Sequence, residues 1–132
     1  MWTTRISAPA LAFAIVLGGC GGGSQVITGT FTLNSPDVTR TASTCSGING
    51  YDDIHSGVGV AVRDEGGKLI GTGALIDDPA NSSSRGCSFT FSVPLTENAK
   101  FYEIEVGHRG KVTHSSAEME AMGWSIDLTL GG

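Results

Sequence analysis

The chain has 132 residues, which is the size of one domain and leaves no room for a second. Charged residues make up only 16% of it, and the formal net charge is −5. Sparse charge argues against a long solvated helix, a coiled coil or a charge-driven disordered chain. The negative sign argues against a nucleic-acid partner, because such binders neutralise phosphates with basic residues.

The beginning of the chain has the pattern of a secretory signal. Arg5 is the only charge before Asp37, and residues 6–19 form a short, largely apolar run. That run is too short to span a bilayer as a helix. It ends in Leu17-Gly18-Gly19-Cys20, which resembles a bacterial lipobox. The resemblance implies that residues 1–19 are removed and that Cys20 becomes a lipidated N-terminus, which would anchor the protein on the outer face of the cell membrane.

The cysteine count agrees with this interpretation. The chain has three cysteines, and lipidation of Cys20 leaves Cys45 and Cys87 as an even pair for a disulfide in an exported domain. The alternative is an ordinary cleaved signal, with Cys20 itself in a disulfide. Residues 20–25 are glycine-rich and predict a flexible tether. Removing residues 1–19 takes away one of the 8 basic residues against 13 acidic ones, so the lipid, rather than charge, must hold the domain to the membrane.

From residue 26 onward the sequence predicts about seven short strands. β-Branched and aromatic residues alternate with polar ones between turns rich in glycine, asparagine, aspartate and serine. The predicted strands cover residues 26–33, 58–63, 69–76, 87–93, 101–106, a segment after the turn at 107–110, and 124–130. The alternation is cleanest over residues 87–93, where one face carries Cys87, Phe89, Phe91 and Val93.

The first predicted hairpin turn follows the strand that ends near residue 63. A loop centred on residues 65–66 pairs Arg63 with Lys68 on one face and Val62 with Leu69 on the other. Polar then meets polar and apolar meets apolar across the turn, which supports the hairpin.

The second hairpin turn is compatible with two registers. A two-residue loop would set Glu105 against Val112 and mix the faces. A three-residue loop over residues 108–110 sets Val106 against Val112 and places Gly110 where a left-handed bulge residue is required. The sequence therefore predicts the second register.

A short helix is predicted before the last strand. Ser115 and Glu118 have the spacing of a capping box, the helix covers residues 117–122, and Gly123 supplies its stop. Strand-dominated patterning with one short helix near the C-terminus predicts an all-β fold for residues 26–132. We expect an antiparallel β-sandwich of the Ig-like or C2-like kind, with a small barrel as the alternative.

Catalytic signatures are sparse. The sequence has no Gly-x-Ser-x-Gly elbow, and His55, His108 and His114 are scattered along the chain. A small envelope hydrolase is therefore an alternative that needs a cleft bringing His55 or His114 against serine and aspartate. The same scatter argues against a zinc site, and no cofactor is predicted.

Acidic pairs in predicted loops suggest another alternative function, that of a calcium-dependent C2-like binding module. The candidate ligands are Asp52, Asp53, Asp77 and Asp78, because calcium takes carboxylate oxygens that loops at one end of a sandwich can supply. Aspartate also favours turns, where its side chain caps backbone amides, and no EF-hand spacing is present. The sequence therefore favours no metal.

Residues 45–55 form the least ordinary segment. The segment is long and glycine-rich, yet it carries three large apolar side chains: Ile48, Tyr51 and Ile54. It is either a plug packed over an open sandwich end and held by the disulfide, or a binding loop, and its apolar residues favour the plug. Tyr51 here, and His108 and Arg109 at the tip of the second hairpin, are the candidate contacts for a ligand or partner.

A wider resemblance is to small lipoproteins and secreted domains of actinobacteria, including mycobacteria. Besides the lipobox, three stretches carry it: Cys-Ser-Gly-Ile-Asn-Gly-Tyr-Asp-Asp-Ile (45–54), Gly-His-Arg-Gly (107–110) and Gly-Trp-Ser-Ile-Asp-Leu-Thr-Leu-Gly (123–131). The resemblance transfers a role only to Cys20, and no chemistry. We therefore expect a lipid-anchored cell-envelope lipoprotein whose sandwich is a non-catalytic binding module for a protein partner, a wall polymer or an apolar ligand.

Overall fold

The computed structural model describes residues 25–131, so the signal segment, Cys20 and residues 21–24 of the predicted tether lie outside the described residues. The elements of the described chain are β1 (Val26–Asn34), β2 (Val38–Arg40), β3 (Cys45–Gly47), β4 (Gly59–Arg63), β5 (Leu69–Ala74), β6 (Ile76–Asp77), a 3-10 turn (Pro79–Asn81), β7 (Cys87–Pro94), β8 (Phe101–Val106), β9 (Lys111–Ser115), α1 (Ser116–Ala121) and β10 (Ser125–Gly131). Two four-stranded sheets, ordered β10-β1-β7-β6 and β5-β4-β8-β9, face each other, and β2 pairs with β3 in a separate ribbon. The all-β sandwich with a short helix near the C-terminus is thereby confirmed. No helix within residues 25–131 is long and apolar enough to cross a membrane.

The structure has more strands than the sequence predicts, and one pair runs in an unexpected direction. β2 and β3 form inside the polar connection after β1, where a loop is predicted. The predicted strand over 69–76 is split at Leu75, because the chain leaves the second sheet there and joins the first as β6. β1 and β10 are parallel, with Phe31 opposite Leu128, whereas the sequence predicts only antiparallel neighbours.

The core lies between the two sheets and follows the predicted alternation. In β7, the four side chains predicted to share one face are all buried: Cys87, Phe89, Phe91 and Val93. Ile27 and Leu33 of β1 and Tyr102 of β8 are also buried. Gly29 allows close approach here, because a Cβ atom at this position would lie 2.5 Å from the Phe91 ring. The first sheet can therefore carry two large aromatic side chains beside β1.

The register of the first hairpin differs from the prediction. Arg63 pairs with Leu69 rather than with Lys68, and a bulge at this point lets Ile70 point into the core while Leu69 is exposed. The conformation of the turn causes this difference in register. The Asp64 side chain accepts hydrogen bonds from the backbone amides of Gly66 and Lys68, both 2.9 Å long, which stabilises a wider turn than the simple loop predicted.

The register of the second hairpin is also shifted, but by two residues. Ile104, rather than Val106, pairs with Val112, and residues 106–110 lie between Glu105 and Lys111, the last two residues of β8 and β9 that pair with each other. Val106 instead pairs with Val60 of β4, and the Gly107 amide donates to the Gly59 carbonyl oxygen at 2.8 Å. Because side chains alternate with a period of two, a two-residue shift leaves every side chain on its predicted face.

The helix α1 forms where the sequence predicts it. The Ser115 hydroxyl accepts the Glu118 amide at 3.1 Å, and the Glu118 carboxylate accepts the Ser115 amide at 2.7 Å. These two bonds are the predicted capping box. Met119 packs into the core, and Gly123 ends the helix with a φ of 66°. The helix thus carries the chain across one end of the sandwich, from the second sheet to the first.

The sandwich has two distinct ends. We call the end where β1 begins the near end; it also holds Pro94, which pairs with Val26, and α1. The opposite, far end holds Asn34, the start of β7 and the second hairpin turn. β1 runs between the two ends, and its nine residues span roughly 26 Å at about 3.3 Å per residue.

Candidate binding site

A disulfide joins Cys45 to Cys87 at the far end, as predicted. Their Cα atoms are 5.5 Å apart, and both side chains are buried. The bond links β3 to the first residue of β7. The Cys45 amide also donates to Asp77 Oδ1 at 3.0 Å, which ties the same point to β6. The long polar connection after β1 is therefore held against the first sheet.

Residues 45–55 pack against the core. Ile54 is completely buried, and its carbonyl oxygen accepts the Gly47 amide at 2.9 Å, which closes the segment into a loop. Gly47 is required for this closure, because a Cβ atom there would collide with the Tyr51 carbonyl oxygen. Tyr51 is half-buried beside the core. This packing agrees with the plug interpretation of the segment.

Arg109 at the tip of the second hairpin binds the plug. Its Nε atom donates to Asp53 Oδ2 at 2.9 Å and its Nη2 atom to Asp53 Oδ1 at 2.6 Å, a bidentate ion pair. Nη2 also donates to the Gly50 carbonyl oxygen, and the guanidinium carbon lies 5.2 Å from the centroid of the Tyr51 ring. We call Tyr51, Asp53 and Arg109 the Arg109 cluster. The structure thus brings together two of the three predicted contact residues, Tyr51 and Arg109, and leaves the third, His108, exposed beside them.

The ion pair in the Arg109 cluster shifts the pKa values of both of its members, Asp53 and Arg109. The hydrogen bonds from Arg109 hold the pKa of Asp53 below its ordinary value, with the nearby charges of Arg109 and His108 adding to the effect. The same pair raises the pKa of Arg109. Both side chains are partly exposed, so water screens the interaction. The cluster therefore ties the hairpin to the plug without a strong local charge imbalance.

The four candidate calcium ligands do not converge. Asp53 pairs with Arg109, Asp77 accepts the amide of Cys45, and Asp78 accepts Asn81 Nδ2 at 2.8 Å beside the 3-10 turn, while Asp52 is exposed. Among residues 25–131, no group of three or more histidine, cysteine or acidic side chains is arranged to hold a metal ion. Only Asp78 binds a donor close to it in sequence, as expected for an aspartate beside a turn, whereas Asp53 and Asp77 bind donors 56 and 32 residues away.

The histidines are scattered in space as they are in sequence. His55 Nδ1 lies 2.8 Å from the carbonyl oxygen of its neighbour Ser56, and His114 Nδ1 lies 3.8 Å from Glu118 Oε1. Within the described chain, none of the three histidine rings forms a hydrogen bond with a serine hydroxyl. The cleft on which the hydrolase alternative depends is therefore not formed by these residues.

A groove that the sequence does not predict lies along one side of the sandwich. It has a volume of about 290 Å³ and opens between β9 and β10, the edge strands of the two sheets. Its lining combines six apolar side chains with two basic residues near the far end, one carboxylate, a threonine and a glycine: Phe31, Ile104, Val106, Val112, Leu128, Leu130, Arg109, Lys111, Asp127, Thr129 and Gly110. Arg109 therefore belongs both to the groove and to the Arg109 cluster.

The groove exists because neither sheet covers the other completely on this side. Val112 of β9 and Leu128 and Leu130 of β10 point inward but are only half-buried, whereas Ile126 of β10 is buried. In the described structure β10 pairs only with β1 and β9 only with β8, so each strand presents one unpaired backbone edge beside the opening. A ligand in the groove would meet apolar side chains first and backbone polar groups at the rim.

A second, shallower depression lies at the far end. Its volume is about 500 Å³, and its lining is more polar: Asn34, Ser35, Pro36, Tyr51 and Arg85. Tyr51 lines this depression while Arg109 lines the groove, so the Arg109 cluster separates the two. The lateral groove is the better candidate for an apolar ligand.

The fold and this site define a class, a disulfide-linked β-sandwich domain with an apolar lateral groove. No family model, curated protein or solved structure matches the chain.

Proposed function

We propose that this chain is a lipid-anchored lipoprotein on the outer face of the bacterial cell membrane, and that its sandwich is a non-catalytic module that binds an apolar group in the lateral groove. The observation that carries the proposal is the half-buried row of Val112, Leu128 and Leu130 facing the opening. Covering these side chains removes apolar surface from water, at about 25 cal/mol per Å². The ligand can be a free apolar molecule or an apolar part of an envelope protein or wall polymer.

The anchor is supported by the lipobox-like sequence and by the disulfide. Cys45 and Cys87 are joined, which leaves Cys20 as the one cysteine without a partner in the sequence count. The described chain begins five residues after Cys20, at the near end. The groove and the Arg109 cluster lie toward the opposite end of β1, so an anchor at Cys20 would present them away from the membrane.

Binding in the groove is tested with 1-anilinonaphthalene-8-sulfonate, an apolar probe with one negative charge that suits the basic residues at the groove's end. We expect saturable binding to the folded protein. Leu128→Asp places a charge among the apolar groove residues and should weaken binding at least tenfold. Ser125→Asp is the matched control, because it adds the same charge to an exposed position of the same strand outside the groove. Equal binding by both variants, or no saturable binding by the unmodified protein, would contradict the proposal.

The anchor is tested separately. Intact mass after membrane extraction should show a protein that begins at residue 20 and carries acyl chains. A Cys20→Ala form should leave the membrane fraction. Retention of that form in membranes would show that something other than the lipid holds the protein there.

A further inference from the structure

The near end of the sandwich carries an unusual share of the exposed apolar side chains. Within residues 25–131, five large hydrophobic residues are exposed: Val26 (42%), Leu69 (50%), Ile76 (58%), Phe101 (48%) and Met122 (38%). Single exposed apolar side chains are normal on a protein surface. Four of these five, however, share one end of the molecule, and only Ile76 lies elsewhere, on β6.

The strand registers place the four residues at that end. Val26 is the first residue of β1 and pairs with Pro94, the last of β7. Leu69 and Phe101 are the first residues of β5 and β8, and Met122 is the C-cap of α1. They occupy positions around the rim of the near end, on both sheets and on the helix. A shallow groove of about 360 Å³ beside Leu69 adds concave surface between the sheets at the same end.

Phe101 is held in place rather than carried on a loose loop. The Glu65 carboxylate accepts the Lys100 amide at 2.9 Å and the Phe101 amide at 3.3 Å. The first hairpin turn is thereby tied to the start of β8. An exposed aromatic ring on a fixed strand end is presented outward at little conformational cost, and phenylalanine is one of the residues found on the apolar faces of helices that lie in the membrane interface.

We propose that the near end rests on the bilayer surface, with Val26, Leu69, Phe101 and Met122 in contact with the lipid interface. The inference rests on the proposed anchor at Cys20. The five residues from Cys20 to Gln25 reach at most about 17 Å when fully extended, at about 3.3–3.6 Å per residue. An anchor at Cys20 therefore keeps this end within about 17 Å of the membrane surface.

The charges at this end indicate that the contact is apolar rather than electrostatic. The turns and the helix at the near end carry two lysines and five carboxylates: Asp64, Glu65, Lys68, Glu97, Lys100, Glu118 and Glu120. Lys68 is moreover paired with Glu97 at 2.8 Å. Anionic lipids repel such a surface. We therefore expect closer contact with zwitterionic phosphatidylcholine than with mixtures rich in phosphatidylglycerol.

Contact of the near end with the bilayer would orient the sandwich. β1 spans roughly 26 Å from the near end to the far end. With the near end on the lipid, the Arg109 cluster and the mouth of the groove stand clear of the headgroups, where an envelope partner can reach them. A tether alone would leave the domain free to tumble and to bring either end to the membrane.

The test uses the full lipidated protein in phosphatidylcholine vesicles that contain brominated lipid, which quenches tryptophan on contact. Phe101→Trp reports from the near end, and Ile76→Trp is the matched control, because Ile76 is more exposed but lies on β6. Trp124 contributes the same background to both variants. We expect at least threefold stronger quenching of the Phe101→Trp signal, and the opposite order with iodide, which quenches from the water. Replacing part of the phosphatidylcholine by phosphatidylglycerol should lower the lipid quenching at Phe101→Trp.

The outcomes separate the orientation from the anchor. Membrane-bound, lipidated protein with equal quenching at the two positions would overturn the orientation and leave the anchor standing. Protein that carries no acyl chain by intact mass and does not bind the vesicles would overturn both. Stronger lipid quenching at Phe101→Trp that increases with phosphatidylglycerol would overturn the apolar nature of the contact.

Discussion

Replacing both disulfide cysteines by alanine should lower the free energy of unfolding by about 4 kcal/mol. Cys45 and Cys87 are 42 residues apart, and closing a loop of that length removes about 13 cal/mol/K of entropy from the unfolded chain, which is about 4 kcal/mol at 25 °C. Alanine is the right replacement, because both side chains are buried and a serine hydroxyl there would lack a partner.

The loss can be measured by urea unfolding and by a thermal melt. For a domain of this size, each kcal/mol corresponds to about 4–8 °C, so we expect the Tm to fall by about 15–30 °C. The unfolded state of the double variant is less compact, so the urea m-value should rise as well. Unmodified protein melted with a reducing agent is the chemical control and should follow the variant.

Hydrogen exchange locates the effect. The amides of Gly47 and Ile54 close the plug through bonds to Ile54 and Tyr51 carbonyl oxygens, and they should lose protection before the amides of β1 and β7. A loss of stability below about 1 kcal/mol, with protection at Gly47 unchanged, would refute the reasoning. It would mean that the plug is ordered by its own packing and that the disulfide adds little to its stability.

Three further predictions concern the far end and the helix. Arg109→Met should lower the urea midpoint at pH 7, since it removes a bidentate ion pair, and the decrease should be much smaller than that caused by loss of the disulfide because the pair is partly exposed. The pKa of Asp53 is lowered in the folded state, so the ion pair stabilises the protein above the ordinary carboxyl pKa and this contribution is lost as the pH falls through the lowered pKa. The urea midpoints of the variant and the unmodified protein should therefore converge as the pH falls below the ordinary carboxyl range, and a gap that stays constant would contradict this. Ser115→Ala should lower the free energy of unfolding by about 1 kcal/mol, measured by thermal melt, because it removes the hydroxyl group of the capping box. No change in this free energy would mean that α1 is stabilised by its packing alone. Gly47→Ala should lower the free energy of unfolding by at least about 2 kcal/mol, because the new methyl group collides with the Tyr51 carbonyl oxygen. An unchanged urea midpoint would show that the plug moves freely.

Features set by neighbouring residues could be predicted from the sequence. The capping box at Ser115 needs only a residue three positions on, and the alternation of β7 from Cys87 to Val93 needs only that one face be buried. The disulfide could be inferred by counting, because the prediction of an exported chain with a lipidated Cys20 leaves one pair of cysteines. These inferences rest on local spacing or on composition, and strand order has no effect on them.

Strand registers could be predicted only in part, because they depend on turn geometry. At the first hairpin, the Asp64 side chain binds two amides of the turn, and the resulting bulge replaces Leu69 by Ile70 in the core. At the second, Val106 pairs with β4, which lengthens the connection by two residues but preserves the faces. An odd shift exchanges core and surface, whereas an even shift does not. The first error therefore changes which residue is buried, and the second changes only which residues are neighbours.

The contacts within the candidate site, like the strand registers, could be predicted only in part from the sequence. The sequence marks Tyr51 and Arg109 as contact residues because one lies in an unusual segment and the other at a hairpin tip. The Arg109 guanidinium lies over the Tyr51 ring and pairs with Asp53, and both contacts depend on the fold bringing residues about 60 positions apart together at the far end. Asp53 is one of the candidate calcium ligands at a site that the sequence does not favour, and its partner in the structure is a side chain that no local pattern connects to it.

The groove depends entirely on strand order. Leu128 and Leu130 in β10 alternate with polar residues as regularly as Phe89 and Phe91 do in β7, and alternation alone assigns both pairs to the core. β7, however, lies between β1 and β6, while parallel pairing with β1 leaves β10 at the edge of its sheet. Because β9 is the edge of the other sheet on the same side, the inward face of β10 is left half covered. The apolar surface exposed there is the part of the core that this topology leaves in contact with water, and an apolar partner is the kind of molecule that would complete it.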